Sequence, residues 1–284
     1  MNSAGTTGPE ATENWQQWRR QTDENLKAPF GWLTLSALTW LEQTPHPIAD
    51  FPGNWSYRDG AVEGDFSKVD GVGVVQSAEA DSDTEPLLAD APRTAQFSPA
   101  DAPLFQYQQA RAEVAKRGEG VCVRIRHADS DLRRSFTGVP AWDWDEKWVV
   151  KARFEPYPQV VVRDIFTAWE GLINTMEFCG DVVFTLGQSQ LRWAVSGAST
   201  ENARVIFSDA AGKDDASPWR TAPVVFDSDE DGANSCVIDF NYAQNFPAHY
   251  SAWATCPRPV AENHTEERIE AGQQRPRETE SHWL

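Results

Sequence analysis

Short apolar runs separated by turn residues recur along most of the chain. Residues 111–116 favour a helix by propensity, but the turn sequence RGEG at 117–120 and the strict alternation of Val/Ile with Cys/Arg at 121–126 predict a hairpin. Similar runs occupy 148–154, 159–162, 182–186, 191–195, 204–208, 223–226 and 236–240. Their regular spacing predicts a mainly β fold, an antiparallel β-sandwich or a partly open barrel.

One helical pattern stands near the start of the chain. Residues 11–28 place Trp15, Trp18 and Leu26 at helical spacing among charged residues, and Pro29 follows them. We therefore expect an N-terminal amphipathic helix that packs its apolar stripe on the β-rich body.

The region after this helix contains three segments with different sequence patterns. Residues 31–41 fit neither helical nor strand periodicity and are interpreted as a strand followed by a turn. Glycines and Asp-Gly pairs divide 52–75 into short pieces, which predicts hairpins. Residues 76–103 are acidic and contain prolines but few large apolar side chains, so we expect a long loop or mobile excursion there.

The domain organisation expected from these patterns is simple. A disordered N-terminus covers 1–10, a single β-rich domain covers 11–272, and a polar C-terminal tail covers 273–284. A chain of 284 residues can be absorbed largely into one all-β domain.

The charge of the chain limits which classes of molecule it can be predicted to bind. The chain has 25 basic and 43 acidic residues, a formal net charge of −18. Nucleic acid and anionic membrane surfaces both require a clustered basic footprint, so neither is predicted as a partner. The pattern also contains no signal-peptide or membrane-spanning run, and the four cysteines stand singly, so we expect a cytoplasmic protein. Oligomeric state is left open.

Common catalytic motifs are missing from the sequence, including the nucleophile elbow, the phosphate-binding loop and the His-Glu-x-x-His pair. The densest polar stretch is 239–263, where three prolines predict an irregular loop. An enzymatic interpretation takes Asp239 or Glu262 as general base and His249 as its acid–base partner. Whether the protein is an enzyme stays open at this stage.

The other polar residues of this loop have two interpretations. Asn241 and Asn263 could bind a ligand, or they could satisfy backbone groups that lack partners in an irregular loop. His249, Cys256 and His264 have spacings that match no familiar zinc pattern, so no metal and no cofactor is predicted.

Arginines form a second group of candidates. Arg124 shares a strand face with Arg126, and Arg134 and Arg220 lie further along the chain. In so acidic a chain, gathered guanidinium groups could hold a carboxylate or phosphate. Arg124, Arg134 and Arg220 are therefore candidate anchors for a small polar or anionic ligand. The alternative is that aspartates such as Asp209 pair with them.

The thirteen tryptophans add a third functional hypothesis. Trp142, Trp144 and Trp148 alternate with acidic residues and would share one strand face. They either pack in the core, line a ligand, or form the contact face of a non-catalytic interaction module.

Several blocks together resemble an uncharacterised bacterial and archaeal family, domain of unknown function family 1684. In chain order they are GWLTLSALTWLEQ (31–43), VRIRHADSDLRRSFTGVPAW (123–142), WVVKARFEPY (148–157), FSDAAGK (207–213), SPWR (217–220), DFNYAQNFPAHYSAWATCPRPVAEN (239–263) and IEAG (269–272). The resemblance implies a shared β-rich fold and a cytoplasmic protein, and it implies no mechanism.

The chain departs from the family pattern at three places. The family resembles Asn-Pro-Pro-Cys-Ala where this chain has 245–249, so a thiol pair with Cys256 across the loop cannot form here. It reads Asn-Arg-Leu where Asn263-His264-Thr265 stands, and Ala-Gly-Glu where Ala271-Gly272-Gln273 stands. A catalytic glutamate at the last position elsewhere would be replaced here by Gln273, which cannot ionise.

Overall fold

Antiparallel strands dominate the structure, a computed structural model that describes residues 6–75, 88–226 and 234–282. The chain divides into two units. Lys27–Phe136 is called the middle unit, and Met1–Leu26 together with Thr137–Leu284 is called the barrel unit. The predicted mainly β class is confirmed. This division does not test whether residues 11–272 fold as a single domain, so that expectation stays a prediction.

Helix α1, Pro9–Lys27, opens the barrel unit and confirms the predicted helix, with its start two residues earlier. Trp15 and Leu26 are buried on it at helical spacing. The indole Nε1 of Trp15 donates a hydrogen bond of 2.9 Å to the carbonyl oxygen of Asn241. Pro29 disfavours helical backbone at the preceding residue, which is why the helix ends at this point.

The middle unit is built from short antiparallel strands and one short helix. They are β1 Leu35–Trp40, β2 His46–Ile48, β3 Phe51–Arg58, β4 Ala61–Asp65, β5 Gly73–Val75, β6 Leu88–Asp90, β7 Thr94–Phe97, β8 Phe105–Tyr107, β9 Ala110–Arg117, β10 Gly120–His127 and α2 Asp131–Ser135. One sheet has the order β1-β10-β9-β8-β5-β6 and the other β2-β3-β4-β7. The buried aromatic residues Trp55, Phe66 and Phe105 pack together in their common core.

The hairpin predictions for this unit are confirmed, since β3 pairs with β4 and β9 pairs with β10. The expectation for 31–41 is wrong in its order, because a 3₁₀ turn at Trp32–Thr34 precedes strand β1. Thr34 stabilises this turn by donating two hydrogen bonds to the Gly31 carbonyl, from its backbone N–H at 3.2 Å and its hydroxyl at 2.7 Å.

The predicted acidic excursion over 76–103 is only partly within the described residues. Residues 76–87 lie outside them. The remainder contains β6, β7 and a 3₁₀ turn at Pro99–Asp101, so this part is not a structureless loop. Ser98 caps the turn by accepting a hydrogen bond from the backbone N–H of Asp101, at 3.3 Å.

The barrel unit contains the longer strands. They are β11 Val149–Phe166, β12 Ile173–Leu186, β13 Ser189–Ser196, β14 Arg204–Phe207, β15 Arg220–Phe226, β16 Ser235–Asp239 and β17 Gln244–Asn245. In the part of the chain that the structure describes, six of them follow one another in the order β14-β13-β12-β11-β16-β15, and β15 pairs back to β14. The sheet therefore closes into an antiparallel barrel.

The interior of the barrel is apolar and rich in aromatic rings. Trp193 stacks on Phe207 with ring centroids 5.4 Å apart, and Phe240 meets both rings edge-on. Trp148 is buried and contacts Phe240, whereas Trp142 and Trp144 are half-buried. The core interpretation thus holds for Trp148, and an interaction face at Trp142 and Trp144 stays a prediction.

Candidate functional site

Asp239 and Asn241 meet where strand β16 ends, and both are fully buried. The Asp239 Oδ1 atom accepts hydrogen bonds from the backbone N–H of Asn241 (3.1 Å) and from its side-chain Nδ2 (3.0 Å). Asn241 Oδ1 accepts from the backbone N–H of Asp145, and Nδ2 also donates to the Asp145 carbonyl. These bonds satisfy backbone groups of an irregular segment, which is the structural alternative left open by the sequence.

His249 is buried under Trp219. Its Nε2 atom lies 3.0 Å from the Trp219 carbonyl oxygen, so Nε2 carries the hydrogen and donates it. The Nδ1 atom has no hydrogen-bond partner among the described residues. Burial lowers the pKa of His249 to about 4, against the opposing effect of the Trp219 carbonyl. The imidazole is therefore neutral at pH 7.

Glu262 has a different environment from the other two proposed catalytic residues. Its side chain is half-exposed and forms an ion pair with Arg163, at 2.5 Å. The described contacts thus join Asp239 to Asn241, His249 to Trp219 and Glu262 to Arg163, and they do not join the three residues to one another. Their acid–base role stays a prediction.

Asn263 joins two strands of the barrel. Strands β13 and β14 pair at a single position, Ser196 with Arg204. The Asn263 Oδ1 atom accepts from the backbone N–H of Ala194 (2.7 Å), and Nδ2 donates to the carbonyls of Ala194 and Ile206 (2.9 Å each). The carboxamide therefore replaces missing strand-to-strand hydrogen bonds, which leaves its polar atoms fully used inside the protein.

Arg220 is fully buried and pairs with Asp209. Nη2 donates to Asp209 Oδ1 (3.0 Å) and to the Ile269 carbonyl (2.9 Å), while Nη1 donates to the carbonyls of Ala271 (2.6 Å) and Gln273 (3.3 Å). Because both terminal nitrogens are fully engaged, they have no donor left for a ligand. The ion pair with Asp209 that formed the alternative is present, and ligand binding by Arg220 stays a prediction.

Arg134 lies exposed on helix α2 of the middle unit. It forms an ion pair with Asp131 one turn earlier and donates to the carbonyl of Asp129. A pair this exposed contributes little to stability and positions no buried donor. Ligand binding by Arg134 stays a prediction.

Gln273, the first residue of the predicted C-terminal tail, takes a structural position in the barrel unit. Its side chain is buried, and its Oε1 atom accepts a hydrogen bond of 2.8 Å from the backbone N–H of Asn245. The neutral amide suits this place, because a carboxylate there would have to be desolvated.

An arginine face in the middle unit has the most unusual electrostatics. Strands β9 and β10 pair with Arg124 opposite Glu113 and Arg126 opposite Arg111, so these four side chains lie on the same side of the sheet. The opposite side carries the apolar residues of the core. We call Arg111, Glu113, Arg124 and Arg126 the arginine face.

Glu113 interacts with two of the three arginines. It forms an ion pair with Arg124 and lies 3.7 Å from Nε of Arg126. Arg111 instead donates to the neutral amide oxygen of Gln106, at 3.0 Å. Among the residues that the structure describes, Glu113 is the one carboxylate in an ion pair with this face, so three positive charges are balanced by one negative charge.

The face is also largely removed from water. The side chains of Arg124 and Arg126 are 8% and 11% exposed, and the Nε atoms of Arg111 and Arg124 have no hydrogen-bond partner among the described residues. Burial lowers the pKa of Arg126 to about 10; Glu113 opposes this effect and Arg124 adds to it. Burial also lowers the pKa of Arg111.

Two aromatic rings flank the arginine face. The guanidinium carbon of Arg126 lies 4.5 Å from the centroid of the Trp32 ring, and that of Arg111 lies 3.7 Å from the Phe30 ring. Stacking of this kind fixes the guanidinium planes. Part of the Arg126 edge is already used, since its Nη1 atom donates a hydrogen bond of 2.8 Å to the Gly31 carbonyl. Such an arrangement can recognise a carboxylate or phosphate through paired N–H groups.

The described residues, 6–75, 88–226 and 234–282, also bear on metal binding and membrane insertion. In these ranges no group of three His, Cys, Asp or Glu side chains is placed to hold a metal ion. In the same ranges no helix combines the length and apolar character needed to cross a membrane.

These features define a mainly β protein whose second half closes into an antiparallel barrel and whose middle unit carries a positively charged face. Residues 134–274 match the model of the family described as "Protein of unknown function (DUF1684)". The resemblance to this family is therefore confirmed over that range, which contains every strand of the barrel. The resemblance of the blocks before residue 134 stays a prediction.

Comparison with other proteins adds little about activity. The chain is similar to an uncharacterised protein from Haloarcula marismortui, known from a solution NMR structure. The identity is 20%, the TM-score is 0.42, and the match covers 50% of this chain and 78% of that chain. No curated protein matches this chain.

Two members of the arginine face, Arg111 and Glu113, were not among the residues singled out from the sequence. The RGEG turn at 117–120 is the sequence feature from which both residues could have been predicted. Once Arg117 pairs with Gly120, the register fixes which residue of β9 faces each arginine of β10.

Proposed function

We propose that the protein binds a small anionic ligand, carrying a carboxylate or phosphate group, at the arginine face of the middle unit. The observation that supports this most directly is the excess of guanidinium groups over carboxylates in a place shielded from water. Of the three anchors named from the sequence, Arg124 is the one that belongs to this face.

The physical argument rests on desolvation. A buried positive charge without a nearby negative charge is costly, and a bound anion relieves that cost while gaining charge-assisted hydrogen bonds. Arg124 is more than nine-tenths buried, and its Nε has no hydrogen-bond partner among the described residues. Binding would supply the missing acceptor.

The charge of the whole chain makes such a site selective. With a net charge of −18, most of the surface repels anions. A local positive potential beside Trp32 and Phe30 would therefore favour a small anionic ligand over an extended polyanion. The aromatic rings offer contact area to an apolar part of that ligand.

Isothermal titration calorimetry with inorganic phosphate and with malonate, at low ionic strength, tests the proposal. We expect binding by the wild-type protein and its loss in Arg111→Met, which removes the arginine that has no carboxylate partner. Arg134→Met is the matched control and should bind as the wild type does, because Arg134 is exposed on α2. Absence of heat with both probes, or equal binding by Arg111→Met, would overturn the proposal.

A second variant separates ligand binding from simple internal pairing. Glu113→Gln removes the negative charge that competes with the ligand, so anion affinity should rise by about tenfold if the face is a binding site. If the arginines serve only to pair with Glu113, the same variant loses stability and gains no affinity. Unchanged or weaker anion binding in a folded Glu113→Gln protein would contradict the proposal.

We also propose a cytoplasmic location. The support is the state of the thiols: none of the four cysteines forms a disulfide, and burial raises the pKa of Cys122 to about 11, so its reactive thiolate form is scarce. Fractionation of the native host followed by immunodetection tests this, and recovery in a secreted or membrane fraction would contradict it.

A further inference from the structure

Ser208, His264 and Glu266 form a hydrogen-bonded chain on the barrel unit. Ser208 Oγ lies 2.9 Å from Nδ1 of His264, and Nε2 of His264 lies 3.1 Å from Oε1 of Glu266. We propose that Ser208 is the nucleophile of an ester-hydrolysing site in which His264 is the general base and Glu266 is the positioning residue. This site is independent of the arginine face, since it shares no residue with it and lies in the other unit.

The carboxylate determines which imidazole nitrogen carries the hydrogen. An ionised Glu266 accepts a hydrogen bond, so Nε2 is the protonated nitrogen and Nδ1 presents its lone pair to the serine hydroxyl. The hydrogen bonds from His264 and the charge of Lys213 lower the pKa of Glu266, which keeps it ionised at neutral pH. The order of nucleophile, base and orienting carboxylate is the one that activates a serine for acyl transfer.

The backbone holds the serine and the histidine together. Ser208 and His264 form a parallel bridge, in which the backbone N–H of Ser208 donates to the Asn263 carbonyl (3.0 Å) and that of Thr265 donates to the Ser208 carbonyl (3.1 Å). Two segments distant in sequence are thus joined directly at the pair. A side-chain hydrogen bond between them needs little further loss of conformational freedom.

Buried neighbours fix this backbone further. Asp209, next to Ser208, is paired with Arg220 and also accepts hydrogen bonds from the backbone N–H groups of Ala211 and Ile269. Asn263, next to His264, is bonded to strands β13 and β14. Each reacting side chain therefore extends from a residue whose neighbour is locked in the interior, which is the support that an active-site pair requires.

The pair is accessible from solvent. Ser208 is half-buried, and the His264 side chain is 46% exposed. The only charged groups that the described contacts place beside the histidine are Glu266 and, through it, Lys213, whose Nζ lies 3.6 Å from Glu266 Oε2. A histidine and a serine with this exposure suit small, uncharged, activated carboxylic esters.

The reaction balances with water as the second substrate. Ser208 Oγ attacks the ester carbonyl carbon while its proton passes to His264 Nδ1, and the imidazolium then protonates the leaving alkoxide as the ester C–O bond breaks. Water next attacks the acyl-serine, giving its proton to His264 Nδ1. Collapse releases the carboxylic acid and returns the proton to Ser208 Oγ, so the enzyme is regenerated.

The first test uses an organophosphonate that carries a fluoride leaving group, followed by intact-mass and peptide mass spectrometry. We expect one adduct on Ser208 in the wild-type protein and none at this position in Ser208→Ala. His264→Gln should slow labelling by about 10²-fold or more, because the general base is lost. The matched control His46→Gln changes a histidine of the middle unit and should label at the wild-type rate.

The second test follows p-nitrophenyl acetate hydrolysis and the state of the histidine ring. Glu266→Gln should lower kcat without changing KM, and it should change the ¹⁵N chemical shifts of the His264 ring, which report its tautomer. Glu266 is 78% exposed, so this substitution leaves the fold intact. Labelling away from Ser208, or equal rates for wild type, Ser208→Ala and His264→Gln, would overturn the proposal while leaving the arginine face untouched.

Discussion

Arg220 and Asp209 form an ion pair in the interior of the barrel unit, with side-chain exposures of 0% and 1% and a distance of 3.0 Å between Nη2 and Oδ1. The pair sits among aromatic rings, since the Arg220 guanidinium carbon lies 5.4 Å from the Trp142 ring and 5.3 Å from the Phe207 ring. Burial lowers the pKa of Arg220, and Asp209 opposes this effect. The charge of Asp209 therefore helps the Arg220 guanidinium to remain charged in the interior.

Asp209→Asn should destabilise the protein by about 3–5 kcal/mol, because it leaves a buried guanidinium without its counter-charge. The free energy of unfolding in urea measures this. Asp214→Asn is the matched control: Asp214 pairs with Arg268 at an exposed position and its loss should change stability little. Similar stability of the two variants would contradict the importance of the buried pair.

Asn263→Ala should lower the free energy of unfolding by about 2–4 kcal/mol, since it removes three buried hydrogen bonds and leaves strand carbonyls unpaired. Hydrogen exchange adds a local measurement. The amide of Ala194 should lose protection in this variant, while the exposed Asn202→Ala should leave it unchanged. Retained protection at Ala194 would show that another group replaces the carboxamide.

Stability should rise between pH 4 and pH 6.5 because of His249. Burial lowers its folded-state pKa to about 4, below the ordinary value of 6.5, so between these values the unfolded chain binds the proton and the folded chain does not. This contribution is complete above pH 6.5 and is lost as pH falls, to the extent of about 3 kcal/mol. Comparison of urea unfolding at pH 5 and pH 7 measures it. The pH-dependent difference should shrink in His249→Gln and persist in His46→Gln.

Gly272→Ala should cost about 2–4 kcal/mol of stability. Gly272 has φ +71°, and a Cβ atom there would lie 2.5 Å from the Ala243 carbonyl oxygen. The cost of the backbone strain and the cost of the steric overlap with Ala243 therefore add together. Gly171 provides the control, because its φ is +77° but nothing lies within 4 Å of its Cβ position. Gly171→Ala should cost about 1 kcal/mol, from strain alone. Thermal denaturation of both variants distinguishes the two contributions.

The strands and hairpins of this protein can be predicted from local sequence patterns. The contacts of the polar side chains in the candidate sites cannot. Alternation and the RGEG turn predict the β9–β10 hairpin, and its register then follows from the turn. The order of turn and strand at 31–41 could not be predicted, because it depends on the hydrogen bonds of Thr34 to Gly31.

Residues distant in sequence decide what each polar side chain does. Asn263 was a candidate for ligand binding, but its partners are 69 and 57 positions away along the chain, and only the closed barrel brings them together. The Ser208–His264 contact spans 56 positions in the same way. No local sequence motif predicts such pairs, because the closure of the barrel decides which distant residues come into contact.

The hydrogen bond from Trp15 to Asn241 joins residues 226 positions apart, with the whole middle unit between them. During synthesis at about 5–20 residues per second, the N-terminal helix therefore waits roughly 10–45 seconds before its partner leaves the ribosome. The middle unit is continuous in sequence and is completed within that interval. The apolar face of this helix is therefore made well before Asn241, the residue that its Trp15 contacts in the folded protein.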